Sequence, residues 1–381
     1  MYLFNGRLPT EKAHGLQIVK MCEAFAEDRN EVILLSAYRR NPIKQDFFSF
    51  YGLRKNFDYQ KVPAIDISWL PGRLAYYIQT LLSALILVLW SKRYQGAGTI
   101  FYARDYWTLF FLSVFGPPFA AEIHDYRFKK PRRFIQLILN RAKKVIANSR
   151  GTKELLLKHY KVSGSKMLVA PNGVDLDQFN IPQSREEVRK ELGFPAGIIV
   201  GHVGRLETAG MDKGVGRLIE AVSVMRHKEA ILYIIGGPNN HVEYFKGKAK
   251  KLGIEQRVVF VGQVAHAIIP RYLRAMDIVV IPLDLNQHAL TTSPMKLFEY
   301  MAAGKVIIAS DLPGLKEIID PTTALFFKPG DASGLALQLD RIISDPSLAT
   351  SLASHSLKRA EKFSWSSRAR AIKSFIESDG S

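Results

Sequence analysis

The stretch DIVVIPLDLNQHALTTSPMKLFEYMAAGKVIIAS, residues 277–310, reads as strand, loop, helix and strand in that order. Ile278 to Ile281 and Val306 to Ala309 are short continuous apolar runs, the composition of strands buried on both faces of a parallel sheet. Between them, Ser293 suits an N-cap, Pro294 the first helical position and Gly304 the residue after the last turn, which predicts a helix over Pro294 to Ala303. A helix entered from a strand end points its N-terminus out of the carboxyl edge of the sheet, where open α/β sheets bind ligands. Its unpaired N–H groups and positive dipole end make this tip, with Ser293, Met295 and Lys296, a phosphate site.

The same alternation extends on both sides. IIVGHVG (198–204), ILYIIGG (231–237), RVVFVG (257–262) and ALFF (324–327) read as further strands, and Leu218, Ile219, Val222 and Met225 form one helical face between the first two. The first half repeats the theme less cleanly. Gly15, Ile18, Val19, Cys22, Phe25 and Ala26 form a helical stripe, with strands expected at Met1 to Phe4, Val32 to Ser36, Thr99 to Ala103, Phe119 to His124 and Lys144 to Ser149. Two α/β halves in tandem, with a seam near Ala170 to Gly173, predict a cleft between them. The run from Asp345 to Ile376 reads as helical, with Phe363 and Trp365 as apolar anchors.

The whole chain has 381 residues, 47% of them hydrophobic, more than one compact core usually holds. Its single cysteine, Cys22, excludes an internal disulfide framework and fits a reducing cytoplasm, and neither Cys/His ligand spacing nor a HExxH helix occurs. Nothing argues for secretion. The net charge of +18 is uneven: residues 1–180 carry 27 Lys and Arg against 14 Asp and Glu, a balance of +13. That half either meets something anionic or merely solvates its surface with cations. Leu74 to Trp90 has 17 residues without a charge, short of the ~20 that a bilayer core requires. Leu74, Tyr77, Ile78, Leu81, Leu82, Leu85, Ile86 and Leu89 recur at helical spacing, while Gln79, Thr80 and Ser83 lie elsewhere. This predicts a domain helix that buries its bulky face; the competing reading is a surface helix resting on a membrane.

Glu299 lies about 7.5 Å along the expected helix, so a diphosphate at the tip would place a ribose beside its carboxylate. A solvent-facing helix glutamate is the competing reading. Arg205 and Lys213 would emerge at the same sheet edge, where fixed cations stabilise a departing nucleoside diphosphate by roughly 3 to 4 kcal/mol per donor. In the first half, His124 and Asp125 end a strand; His124 suits a sugar hydroxyl or an acceptor, Asp125 a base, and a purely structural histidine is the alternative. Arg127, Lys129, Lys130, Arg132 and Arg133 follow within seven residues.

The segments LPTEKAHGLQIVKMCEAFA (8–26), AEIHDYRF (121–128), PNGVD (171–175), VGRLETAGMDKGVGRLIEA (203–221) and SPMKLFEYMAAGKVIIASDLPGLKEII (293–319) resemble family 4 of the retaining glycosyltransferases. The resemblance spans nearly the whole chain. It implies the GT-B fold: two Rossmann-like doubly wound domains facing a central cleft, an acceptor-binding domain over 1–173, a nucleotide-sugar-binding domain over 174–355, and a final helix, 356–381, packed back on the first domain. It implies that Arg205 and Lys213 bind the donor diphosphate, Glu299 the ribose and His124 the transferred hexose. It also implies that Gly15, in the loop before the first helix, approaches the donor phosphates. The implied reaction is hexosyl transfer from a UDP- or GDP-sugar to a saccharide or lipid-linked acceptor, with retention by front-face attack and neither divalent metal nor cofactor. The only Asp-x-Asp, Asp175 to Asp177, falls at the seam and reads as structural.

Two features depart from the family pattern. The first of two glutamates with seven residues between them is here Thr291, which supplies no carboxylate to the sugar, and the ETAGM segment sets Arg205 and Lys213 further apart than usual. A nucleotide-sugar epimerase or phosphorylase on the same scaffold is an alternative, as is a catalytically silent nucleotide-sugar sensor. A nucleic-acid binder would need aromatic platforms interleaved with the basic residues, and none is evident. Expected partners are therefore a nucleotide sugar, an acceptor and an anionic membrane touched peripherally by the basic first half, at the inner face of the plasma membrane.

Overall fold

The computed structural model describes residues 1–28, 30–64, 66–67, 72–124, 131–208 and 211–378. The chain divides into two compact units, Met1–Pro171 with Trp365–Ser381, and Asn172–Ser364.

In the first unit, seven parallel strands, β1 (Tyr2–Phe4), β2 (Ile33–Ala37), β3 (Asp58–Val62), β4 (Phe101–Ala103), β5 (Phe119–Ile123), β6 (Lys144–Ala147) and β7 (Met167–Val169), form a sheet of order β3-β2-β1-β4-β5-β6-β7. In the second unit, β8 (Ile199–Val203) is followed by a two-stranded antiparallel ribbon, β9 (Glu207–Thr208) and β10 (Met211–Asp212). β11 (Ile231–Ile235), β12 (Val258–Gly262), β13 (Ile278–Ile281), β14 (Val306–Ser310) and β15 (Leu325–Phe327) then join β8 in the order β12-β11-β8-β13-β14-β15. Both sheets run outward in two directions from their first strand, the doubly wound Rossmann arrangement, whose switch point is the usual ligand edge. Alternate residues of the second sheet enter separate cores: Ile199, Val203 and Val279 on one face, Val200, Ile278 and Val280 on the other. Burial on both faces is why these strands carry continuous rather than alternating apolar runs.

Three expectations change. The C-terminal run is two helices, Pro346–Ala360 and Trp365–Glu377, broken at Glu361–Phe363, and the second helix belongs to the first unit. The helix expected from Pro294 begins instead at Met295, with Pro294 in extended conformation as its cap. The helix that carries the uncharged run, Arg73–Ser91, is turned over relative to expectation. Leu74, Tyr77, Ile78, Leu82 and Leu89 are exposed, whereas Gln79, Thr80 and Ser83 are buried, and Gln79 and Thr80 find hydrogen bonds inside the unit. Gln79 Nε2 donates to Asp66 Oδ1 at 3.0 Å, and the carbonyl of Thr80 accepts from Asn5 Nδ2 at 2.8 Å.

Candidate active site

In the second unit, several segments converge at the carboxyl ends of β8 and β13. β8 runs into Gly204, at φ +131°, whose N–H donates to the carbonyl of Ile235 at 2.8 Å. A Cβ on Gly236 would stand 1.8 Å from the Gly204 oxygen, so the ends of β8 and β11 touch backbone to backbone. After Arg205 and Leu206 the chain enters the β9–β10 ribbon and returns at Lys213, whose N–H donates to the carbonyl of Leu206 at 2.9 Å. The extra residues between Arg205 and Lys213 are thus taken up by a hairpin that brings Lys213 back. Gly214, at φ +84°, then presses on Pro282, just past β13; a Cβ there would lie 1.5 Å from the Pro282 oxygen.

The Met295–Ala302 helix completes this edge. Its Lys296 Nζ lies 3.2 Å from His202 Nε2, and a Cβ on Gly204 would meet Nζ at 2.9 Å. His202, buried within β8, donates from Nδ1 to the carbonyl of Val280 at 3.1 Å, which leaves Nε2 to accept from Lys296. Burial, with the positive charge of Lys213, brings the Lys296 pKa down from 10.5 to about 7, against the opposing pull of Glu299. The Lys213 charge thus acts on Lys296 at the Gly204 turn, and a bound anion there would favour the protonated lysine.

Glu299 does not face solvent. It is 8% exposed, and its Oε1 lies 2.9 Å from His266 Nε2, so one carboxylate oxygen has a fixed partner. Ser293 is not the helix cap. Its Oγ accepts from the N–H of Asn172 at 3.0 Å, and its carbonyl accepts from Asn172 Nδ2 at 2.6 Å, which ties PNGVD to the helix entrance. Met295 opens the helix, Arg205 is exposed, and Thr291 is buried.

In the first unit, His124 directly follows β5 and hydrogen-bonds through Nε2 to Oε1 of Glu122. Glu122 is the hub of a buried network. It also accepts from Gln17 Nε2 at 3.0 Å, Tyr102 Oη at 2.6 Å and Arg368 Nη2 at 2.6 Å, and Arg104 Nη1 reaches Gln17 Oε1 at 2.5 Å. Burial favours the neutral acid, but the Arg368 guanidinium and His124 outweigh it and hold the Glu122 carboxyl well below the usual carboxylate range. Burial and the Arg104 charge push the His124 pKa down to about 4, so at neutral pH the ring is uncharged. Gly15 lies inside the first helix, Ala13–Glu27, not in the loop before it. Its N–H donates to Lys12 O at 2.9 Å and a Cβ would lie 2.3 Å from Thr10 Cγ2, so close packing accounts for the glycine. Asp125, Arg127, Lys129 and Lys130 lie outside the described residues. Among the described residues, no group of three or more His, Cys, Asp or Glu side chains could hold a metal ion.

Residues 16–178 match the model of Glycosyltransferase Family 4, and residues 197–345 match that of Glycosyl transferases group 1. The chain belongs to the family 4 glycosyltransferases. This family member is 28% identical over 266 residues to a D-inositol 3-phosphate glycosyltransferase of Corynebacterium jeikeium, covering 66% of this chain and 62% of the relative. It is 27% identical over 232 residues to an uncharacterized glycosyltransferase of Methanocaldococcus jannaschii, covering 59% and 57%. The chain thus spans less than two thirds of the length of these relatives. Its fold is that of the GT-B enzymes: HepE of Anabaena in complex with UDP superimposes at a TM-score of 0.77 with 19% identity, covering 98% of both chains. Sucrose-phosphate synthase of Thermosynechococcus elongatus gives 0.78 with 19% identity, covering 98% of this chain and 96% of the other.

Sequence reasoning missed Glu122, Arg368, Arg104 and Gln17 around His124 in the first unit, and His202, His266 and Asn172 in the second. A signal existed for two of them. Glu122 in FAAEI and His202 in IIVGHV are polar interruptions of strands otherwise buried on both faces, which a fold retains only with a partner.

Proposed function

We propose that the chain moves a hexose from a UDP- or GDP-linked donor to a saccharide or lipid-linked acceptor, with retention and without a divalent cation. The acceptor oxygen bonds the anomeric carbon on the face from which the diphosphate departs, and the acceptor proton passes to the leaving diphosphate. The observation that carries this reading is the approach of Lys296 to Gly204 beside the Lys213 turn: cations and backbone N–H groups at the switch point of a Rossmann-like sheet. Arg205, Lys213 and Lys296 neutralise the charge that grows on the diphosphate. Glu299 receives the ribose hydroxyls. His124, neutral and oriented by Glu122, meets the hexose or acceptor.

Solved relatives of this fold bind the same class of donor, as HepE does in its complexes with UDP, with UDP and glucose, and with UDP-glucose. The basic first half suits an anionic acceptor, such as the phosphorylated polyol in the name of the Corynebacterium relative. The test is thermal denaturation with UDP, GDP and ADP, followed by donor turnover with membrane extract. One nucleotide should stabilise by about 2.7 kcal/mol at a hundred times its dissociation constant. Stabilisation by none of them, together with no release of diphosphate from any sugar donor, would remove the proposal.

A further inference from the structure

The Arg73–Ser91 helix has the amphipathicity of a water-facing helix reversed. Leu74, Ile78, Leu82 and Leu89 are 72%, 41%, 39% and 48% exposed, and half-buried Leu85 lies in line with them. Their spacing of four, four, three and four residues makes one stripe about 22 Å long. The opposite face holds buried Gln79 and Ser83 with Ala84, Leu87 and Val88. A helix bathed in water does the opposite, with its polar face outward. The neighbouring Tyr106–Phe115 helix, itself without a charge, ends on exposed Val114 and Phe115.

The ends of the stripe identify what covers it. Tyr76 and Tyr77 are exposed at one end, and at the other the Arg93 guanidinium lies 3.7 Å from the centre of the Trp90 ring, beside exposed Lys92. Aromatic rings and cations at the margins of an apolar stripe match the layered chemistry of a lipid interface, with headgroups outside and acyl chains within. A second copy of the chain would bring another strongly basic half, +13 over residues 1–180, against this face, whereas anionic lipid is attracted by that charge.

We propose that this helix lays the first unit on an anionic membrane surface by inserting the Leu74, Ile78, Leu82, Leu85 and Leu89 stripe among the acyl chains. Although Leu74–Tyr94 has 21 residues and the apolarity to cross a bilayer, its polar face is bonded to Asp66 and Asn5, so the helix docks in the plane of the surface. This inference stands apart from the transfer reaction.

Flotation of the purified chain with phosphatidylglycerol/phosphatidylethanolamine vesicles and with phosphatidylcholine vesicles tests it. The native chain should float with the anionic vesicles and stay partly bound in high salt, which screens charge but not insertion. Combined Leu74→Ser, Ile78→Ser and Leu82→Ser should weaken partitioning roughly 100-fold without lowering the midpoint of thermal unfolding. Leu82→Glu alone should weaken it in the same direction. Flotation of the triple variant like the native chain, or no flotation of the native chain, would overturn the proposal. So would a lipid-free native dimer that the triple variant converts to monomer without either form binding vesicles.

Discussion

Lys296 and His202, 94 residues apart in the chain, meet through Nζ and Nε2 at 3.2 Å, a half-buried ammonium resting on a neutral imidazole. An imidazole accepts a hydrogen bond but offers no negative charge, so this ammonium is partnered without being neutralised. A phosphate oxygen at the Gly204 turn would supply the missing charge and favour the protonated lysine. In the free protein the Lys296 pKa is lowered from 10.5 to about 7, so stability rises with pH across that window as the native state sheds a proton that the unfolded chain keeps. Nucleotide binding reverses the direction. A proton is taken up on binding above pH 7, and UDP or GDP affinity should fall roughly tenfold from pH 7 to pH 9. Titration calorimetry in buffers of different ionisation enthalpy reads that proton directly. Lys296→Met should bind more weakly and flatten the dependence; a native-like slope in this variant would place the proton elsewhere.

Glu299 and His124 should separate kinetically. In the proposed transfer Glu299, one turn and a little more into its helix and already holding His266, serves the nucleotide, so Glu299→Ala should weaken nucleoside diphosphate binding by about tenfold or more. The same proposal gives His124, in the other unit, to the step in which the sugar moves. His124→Ala should lower turnover while leaving free nucleotide affinity nearly intact. Equal losses of nucleotide affinity in both variants would mean that the two roles are misassigned.

The turn that sets Lys213 tolerates no side chain at Gly214. With φ at +84° and a Cβ that would fall 1.5 Å from the Pro282 oxygen, Gly214→Ala must displace either the Lys213 turn or the end of β13. The expected cost is roughly 2 to 4 kcal/mol of stability, together with lost nucleotide affinity. Gly247→Ala is the control: it lies exposed within the Asn239–Lys251 helix with nothing within 4 Å of a new Cβ, and should be stabilising by about 0.5 to 1 kcal/mol. Urea titrations of the two variants moving in the same direction would contradict this account of the turn.

All six strands of the second sheet were legible because each is an apolar run bounded by polar or glycine residues. β3 was not: DYQKV is an edge strand that, among the described residues, pairs only with β2 and fully buries only Val62, so its residues carry no apolar run. The helix after β13 was legible from Pro294 and Gly304 at its ends, but the partner of Ser293 was not, since Asn172 reaches it across 121 residues. Composition showed that Leu74 to Trp90 is helical and uncharged. Which face is covered depends on Asp66 and Asn5, side chains that no periodicity within the helix reveals. The same limit hid the His124 network, because Glu122 and Arg368 are 246 positions apart.

Arg368 carries the last prediction because it binds the C-terminal helix to the sheet through one buried charge. Its Nη2 donates to Glu122 Oε1 at 2.6 Å and its Nε to the carbonyl of Pro171 at 2.8 Å, with 5% of the residue exposed. Arg368→Met would strand the Glu122 carboxylate without its guanidinium, and removing one member of a buried pair costs about 3 to 5 kcal/mol. Adding Glu122→Gln should recover part of that loss, since the uncompensated charge goes with it, and the double-mutant cycle measures the coupling. The single variant should also act on His124. The Arg368 charge contributes to holding the His124 pKa down at about 4, so its removal should move that pKa upward and bring ring protonation closer to neutral pH. Imidazole resonances followed by NMR against pH distinguish this from a merely structural role: a destabilised Arg368→Met protein with an unmoved His124 titration would leave Arg368 as a packing anchor alone.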